Sequence, residues 1–210
     1  MSAPWPRLKR NIVAILRGLR PDKAKAVGRA VFEAGIEAIE VPLNSPDPFR
    51  SIETIAADLG KDALVGAGTV LTPADVDRLA SAGGRLLVAP NVDTAVLARA
   101  AELSLVTMPG VFTPTEAFVA IKAKASALKL FPASVLGPKG IAAVGAVLPR
   151  ETVVGVVGGV SEADFADYAK VGVSTFGLGS SLYKPGMSAA DVGERAKAAV
   201  AAWDRVFGDR

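Results

Sequence analysis

The chain has 210 residues, half of them apolar, with 24 basic against 21 acidic side chains and a net charge of +3. That is enough apolar material for one compact domain over residues 1–210. The charge has neither the basic runs nor the aromatic interleaving of a nucleic-acid surface, and no apolar run approaches the roughly 18 to 20 residues of a membrane span. The absence of cysteine and histidine excludes disulfides, thiolate nucleophiles and the commonest metal ligands and acid-base groups, so no metal or other cofactor is expected. The opening Met-Ser-Ala-Pro-Trp-Pro-Arg lacks the apolar centre of a secretion signal, which points to the cytoplasm.

In chain order, near-continuous apolar runs predict strands at Ile12–Leu16, Ala38–Leu43, Ala63–Ala67, Arg85–Ala89, Ser104–Met108, Ala127–Phe131, Thr152–Val157 and Thr175–Leu178. Such runs suit strands buried on both faces. Amphipathic segments separate them. Pro21 opens the first, with Ala24, Val27, Val31 and Ala34 on one face and Gly35 at its close. Thr72-Pro73 opens the third, Thr113 with Glu116 forms a capping-box pattern for the fifth, and Ser161 with Asp164 repeats it for the seventh. The last helix spans about Ser188–Val206. Eight strand-helix units imply parallel strands with right-handed crossovers and an α/β fold, a (β/α)8 TIM barrel. An open doubly wound sheet is less suitable, because no G-x-G-x-x-G opens the first helix.

Barrel chemistry collects at the C-terminal strand ends. Here, among residues inside or ending these strands, Arg17, Glu40 and Lys129 are the strongly charged candidates for the interior. Lys129 has no acidic residue within ten positions on either side. Strand alternation sets it opposite Leu128 and Leu130, and sets Glu40 opposite Ile39 and Val41, so both charges face the barrel interior if the apolar neighbours pack under helices. Deprotonating an ordinary lysine at neutral pH costs roughly 4 to 5 kcal/mol. Burial and a nearby arginine remove part of that cost and leave an amine able to attack ketones, with Glu40 placed to shuttle protons. The pattern alone also fits a buried ion pair with no catalytic role. The Gly158-Gly159 and Gly179-Ser180-Ser181 turns after the last two strands suit a backbone phosphate cup.

The motifs AILRG, IEVPLNSP, VGAGTVL, ALKLFPAS, VGGV and GLGS resemble, in order and spacing over nearly the whole chain, the class I 2-keto-3-deoxy-6-phosphoglycanate aldolases. Members acting on the gluconate epimer carry EVTLRT after the second strand and Thr before the paired glycines. EVPLNSP and Val157 resemble instead the branch acting on 2-dehydro-3-deoxy-6-phosphogalactonate. The resemblance implies a metal-independent lyase in which Lys129 forms the Schiff base, Glu40 is the acid-base and Arg17 and Thr69 hold the carboxylate end. It further implies that Gly158, Gly179 and Ser180 receive the phosphate and that Val157 sits where the branches differ. Pyruvate and D-glyceraldehyde 3-phosphate would be the products, in sugar-acid breakdown, from a cytoplasmic homotrimer. Two readings without imine chemistry compete: a phosphate-binding barrel isomerase using Glu40 as base, and a non-catalytic sugar-phosphate binder.

Overall fold

In the computed structural model, which describes residues 2–208, the apolar runs become parallel strands and the amphipathic segments become the helices that cover them. The order is β1 (Ile12–Ile15), α1 (Pro21–Glu33), β2 (Ala38–Pro42), α2 (Pro48–Leu59), β3 (Leu64–Gly68), α3 (Pro73–Ser81), β4 (Leu86–Val88), α4 (Thr94–Glu102), β5 (Val106–Met108) and β6 (Gly110–Val111). There follow α5 (Pro114–Lys122), β7 (Leu128–Leu130), α6 (Ala133–Gly145), β8 (Val154–Val157), α7 (Phe165–Ala169), β9 (Thr175–Leu178) and α8 (Ala189–Phe207). All strand pairings are parallel, in the order β5-β4-β3-β2-β1-β9-β8-β7-β6.

The two ends of that order are one stretch of chain interrupted at Pro109. The amides of Ala127, Lys129 and Phe131 donate to the carbonyls of Thr107, Pro109 and Val111 at 3.0, 2.9 and 3.1 Å, which carries the ladder around and makes a (β/α)8 barrel. The fifth strand differs from its expected bounds. It starts at Val106 because Ser104 is left-handed, with φ 54°, as the chain leaves α4. It continues past Met108 because proline removes one ladder amide but keeps its carbonyl as an acceptor.

Helix starts follow the side-chain caps. Thr72 Oγ1 accepts from the Asp75 amide at 3.1 Å, Asp93 Oδ1 accepts from the amides of Ala95 and Val96, and Ser188 caps α8. Thr113 with Glu116 forms a complete capping box, as does Ser161 with Asp164, which caps a 3-10 turn leading into the five-residue α7. A cap of this kind contributes about 1 kcal/mol.

Strand alternation sorts the core into two parts. Ile39, Val41, Leu128, Leu130, Val156, Phe176 and Leu178 point outward into the helix layer. Inside the barrel, Val13, Ala38, Leu64, Leu86, Val88, Val106, Met108 and Ala127 form a separate cluster at the N-terminal end of the strands. Ala3, Trp5 and Leu8 of the leading segment pack against it, fixed by the Ala3 amide on Leu105 O at 3.1 Å and Trp5 Nε1 on Asn11 Oδ1 at 3.2 Å. The interior there is filled with apolar side chains, whereas the buried charges Glu40 and Lys129 stand further along their strands than Ala38 and Ala127. Among the described residues, no helix is long and apolar enough to cross a membrane.

Candidate active site

Several interior positions carry glycine among larger side chains such as Ile15, Met108 and Val157. Gly66, Gly68, Gly110, Gly155 and Gly177 all present a bare backbone at points where a Cβ would collide: with Leu86 O, the Glu40 carboxyl, Pro90 O, Met108 Cε and Val157 Cγ2. Two ionisable groups stand in the same interior, and Gly68 makes room for one of them, the Glu40 carboxyl. Glu40 on β2 is 2 % exposed and Lys129 on β7 is 7 % exposed.

Burial dominates both groups. Desolvation pushes the Glu40 carboxyl up to about 7, against the charges of Lys129 and Arg17 and a hydrogen bond from the Gly68 amide, which pull it down. Its Oε2 is buried without a hydrogen-bond partner. Desolvation lowers the Lys129 ammonium pKa, Glu40 opposes that shift, and Arg17 adds to it. Lys129 Nζ also stands 4.5 Å from the centroid of the Phe131 ring, an arrangement that favours the ammonium. The result is an amine more readily freed than usual beside a carboxyl able to hold or release a proton near neutrality.

Above them opens a cavity of about 490 Å³, of the size of small-molecule sites. Arg17, Val157, Gly158, Gly179 and Ser180 line it, with Ile15, Asn44, Phe131, Tyr183 and Lys184. Glu40 and Lys129 are not part of this lining, which Phe131 connects to the Lys129 ammonium. A larger hollow of about 580 Å³ lies at the opposite end, between Ser2–Trp5 and Pro149–Val153, away from both buried charges.

Arg17 is not enclosed. It lies two residues past β1 at the rim, exposed, and its guanidinium donates to Asn44 Oδ1. The rim is held in place from below, since the Gly18 amide donates to Ser45 Oγ at 2.9 Å. Thr69 follows β3, outside the cavity lining. Its φ of 57° is a left-handed conformation that a β-branched residue rarely adopts, and such strain collects at functional positions. Gly158 and Gly159 have successive positive φ values of 93° and 72°, a backbone shape that turns amides toward one point. Gly179 O accepts from the amides of Leu182 and Tyr183 at 2.9 Å each, so the Ser180 and Ser181 amides open the first turn of a helical bend.

Sequence reasoning passed over Gly68 and Phe131. A Cβ on Gly68 would come within 2.1 Å of Glu40 Oε2, so this glycine makes room for the carboxyl as well as donating to it. The signal was present in VGAGTV, where two glycines at i and i+2 share one strand face. Among the described residues, no group of three or more Asp, Glu, His or Cys side chains could hold a metal ion.

The family model described as "KDPG and KHG aldolase" matches residues 7–201. The chain belongs to that aldolase family. It is 61% identical over 205 residues to a Rhizobium meliloti (strain 1021) protein named "Probable 2-dehydro-3-deoxy-6-phosphogalactonate aldolase", covering 98% of this chain and 97% of the relative. It is 46% identical to the "2-dehydro-3-deoxy-6-phosphogalactonate aldolase" of Escherichia coli (strain K12), covering 93% of this aldolase and 95% of that one. A solved structure described as "Native KDPGal structure" superposes with a TM-score of 0.94 at 44% identity, over 98% of this chain and 99% of that one.

Proposed function

We propose that this aldolase cleaves 2-dehydro-3-deoxy-6-phosphogalactonate to pyruvate and D-glyceraldehyde 3-phosphate through a Schiff base on Lys129. The observation that carries the reading is the pairing of a buried lysine, its pKa lowered by desolvation, with a buried carboxyl raised to about 7, both acted on by the charge of Arg17, which lines an open cavity. The choice of substrate is supported by the names of the relatives at 61% and 46% identity and by the EVPLNSP and Val157 pattern.

In this reading the neutral Lys129 amine attacks the C2 ketone. Glu40 gives a proton to the departing hydroxyl of the carbinolamine and then, as carboxylate, takes the proton of the C4 hydroxyl while the C3–C4 bond breaks. The bonding electrons move into the iminium and leave an enamine, and the aldehyde departs. Protonation at C3 and hydrolysis release pyruvate and restore the amine. The Gly68 amide and the orphaned Oε2 of Glu40 suit a group that must both hold and give up a proton. Arg17 and Thr69 take the carboxylate end, and Gly158, Gly179 and Ser180 the phosphate. Val157, in the cavity wall, is the position at which the two branches differ.

We place the enzyme in the cytoplasm as a homotrimer, in which subunit contacts cover the exposed apolar side chains of Phe112, Phe118, Val119 and Val135. Light scattering at three times the 21.5 kDa chain mass is the expected result.

The test is a coupled assay of pyruvate release from both epimers. The account expects faster turnover, as kcat/KM, on the galactonate form. Release from neither would remove the aldolase reading, and a preference for the gluconate form would remove the substrate assignment alone.

A further inference from the structure

We propose that Lys184 is a second anion anchor of this site, whose ammonium captures the phosphate end of the substrate and sets the preference for phosphorylated over unphosphorylated 2-keto acids. The inference rests on the aldolase reading above and adds to it a residue from the loop between β9 and α8. Arg17 and Lys184 are the charged side chains that line the cavity, and no aspartate or glutamate lines it. The opening is therefore doubly positive, which suits a ligand with an anionic group at each end. Arg17 stands at the β1–β2 side with Asn44, and Lys184 follows the Gly179-Ser180 turn in the chain, on the loop that crosses from the end of β9 to Gly18.

The root of Lys184 is fixed while its ammonium is free. Leu182 and Tyr183 are buried just before it and tied to Gly179 O. Ser181 is held on both sides: Ser181 Oγ donates to Val160 O at 3.1 Å, and Ser181 O accepts from Arg195 Nη1 at 3.1 Å. Pro185, just after it, packs so closely on Gly18 that a Cβ there would come within 2.7 Å of the ring. The Lys184 amide donates to Met187 Sδ at 3.2 Å. Four surface lysines are paired, Lys9 with Glu37, Lys25 with Asp58, Lys170 with Asp167 and Lys197 with Glu194; what sets Lys184 apart is its place in the cavity lining. Lys184 pairs with no carboxylate among the described residues and is exposed at the cavity mouth. A flexible four-carbon stem on a fixed root can follow the phosphate as it enters and as the triose phosphate leaves.

The experiment compares wild type with Lys184→Met and Lys184→Arg, using the phosphorylated substrate, its dephosphorylated analogue and inorganic phosphate as competitive inhibitor. Lys184→Met is expected to raise KM for the phosphorylated substrate and Ki for phosphate by about five- to tenfold, with kcat changed less than about twofold. The arginine variant should restore most of the loss. Selectivity against the dephosphorylated analogue should shrink by the same factor, and added salt should narrow the gap between variant and wild type. Borohydride trapping of pyruvate on each protein reports the imine step separately. Trapping by all three with an unchanged KM and Ki overturns the Lys184 assignment alone, whereas no trapping by wild type overturns the aldolase reading and this inference with it.

Discussion

The two ends of the barrel interior are built by the same sheet, yet one carries apolar side chains and the other carries glycines and two buried charges. At the N-terminal end the inward positions hold Val13, Ala38, Leu64, Leu86 and Val106, sealed below by Trp5 and Leu8. One or two inward positions further along β2 and β3 stand Glu40, Gly66 and Gly68, and Lys129, Gly155 and Gly177 face inward from β7, β8 and β9. Side-chain volume at the bottom supplies cohesion, and its removal at the top makes space for charge and substrate. The strands thus separate stability from chemistry by height rather than by domain.

Substitutions at the two ends should therefore fail in opposite ways. The largest effect is expected at the top: Lys129→Ala should lower kcat by about four orders of magnitude or more while thermal unfolding shows a folded protein, because it removes both the nucleophile and a buried charge that burial disfavours. Glu40→Gln should cost about 10²- to 10³-fold in kcat and still allow slow adduct formation with pyruvate. Full turnover by either variant would end its assigned role. At the bottom, Leu86→Ala should cost about 2–5 kcal/mol in denaturant unfolding and leave kcat of the folded fraction within about twofold. A large kcat loss there would break the separation of the two ends. Arg17→Lys should raise KM about tenfold with kcat nearly kept, because a point charge cannot replace a planar fork on a carboxylate. Equal loss in both parameters would move Arg17 into the chemical step.

The raised Glu40 pKa gives a smaller effect that links the two properties. Below pH 4.5, its ordinary value, the carboxyl is protonated folded or unfolded. Between 4.5 and about 7 the unfolded chain releases the proton that the fold keeps. Wild-type stability from this group is therefore fully present at the acid side and lost as pH rises through that window. Glu40→Gln should remove the loss, so its stability relative to wild type should grow from pH 4.5 to 7 and then level. A constant difference across that range would contradict the burial of an ionisable group at this position.

The strands and the inward direction of Glu40 and Lys129 were legible because period-2 alternation sets faces without knowledge of the partner strand. The capping boxes at Thr113 and Ser161 were legible because their partners lie three residues away. What escaped needed distant contacts. Pro109 reads as a strand end, and only the presence of the β7 amides shows that its carbonyl continues the ladder. Gly68 lies just past the strand expected at Ala63–Ala67, and only the Glu40 carboxyl set beside it across the β2–β3 pair shows why it has no side chain. Arg17 was expected in the interior on the strength of its charge and its place at a strand end. It lies at the rim because β1 stops at Ile15 and the chain has left the ladder by Gly18.

The central claim is that the lysine in ALKLFPAS is a nucleophile. The most direct measurement is to incubate the protein with pyruvate and borohydride, weigh the intact chain and map the modified peptide. The account predicts one reduced pyruvate adduct, on Lys129, absent from Lys129→Ala. An unmodified chain that is demonstrably folded would contradict it and leave Lys129 as the buried partner of Glu40.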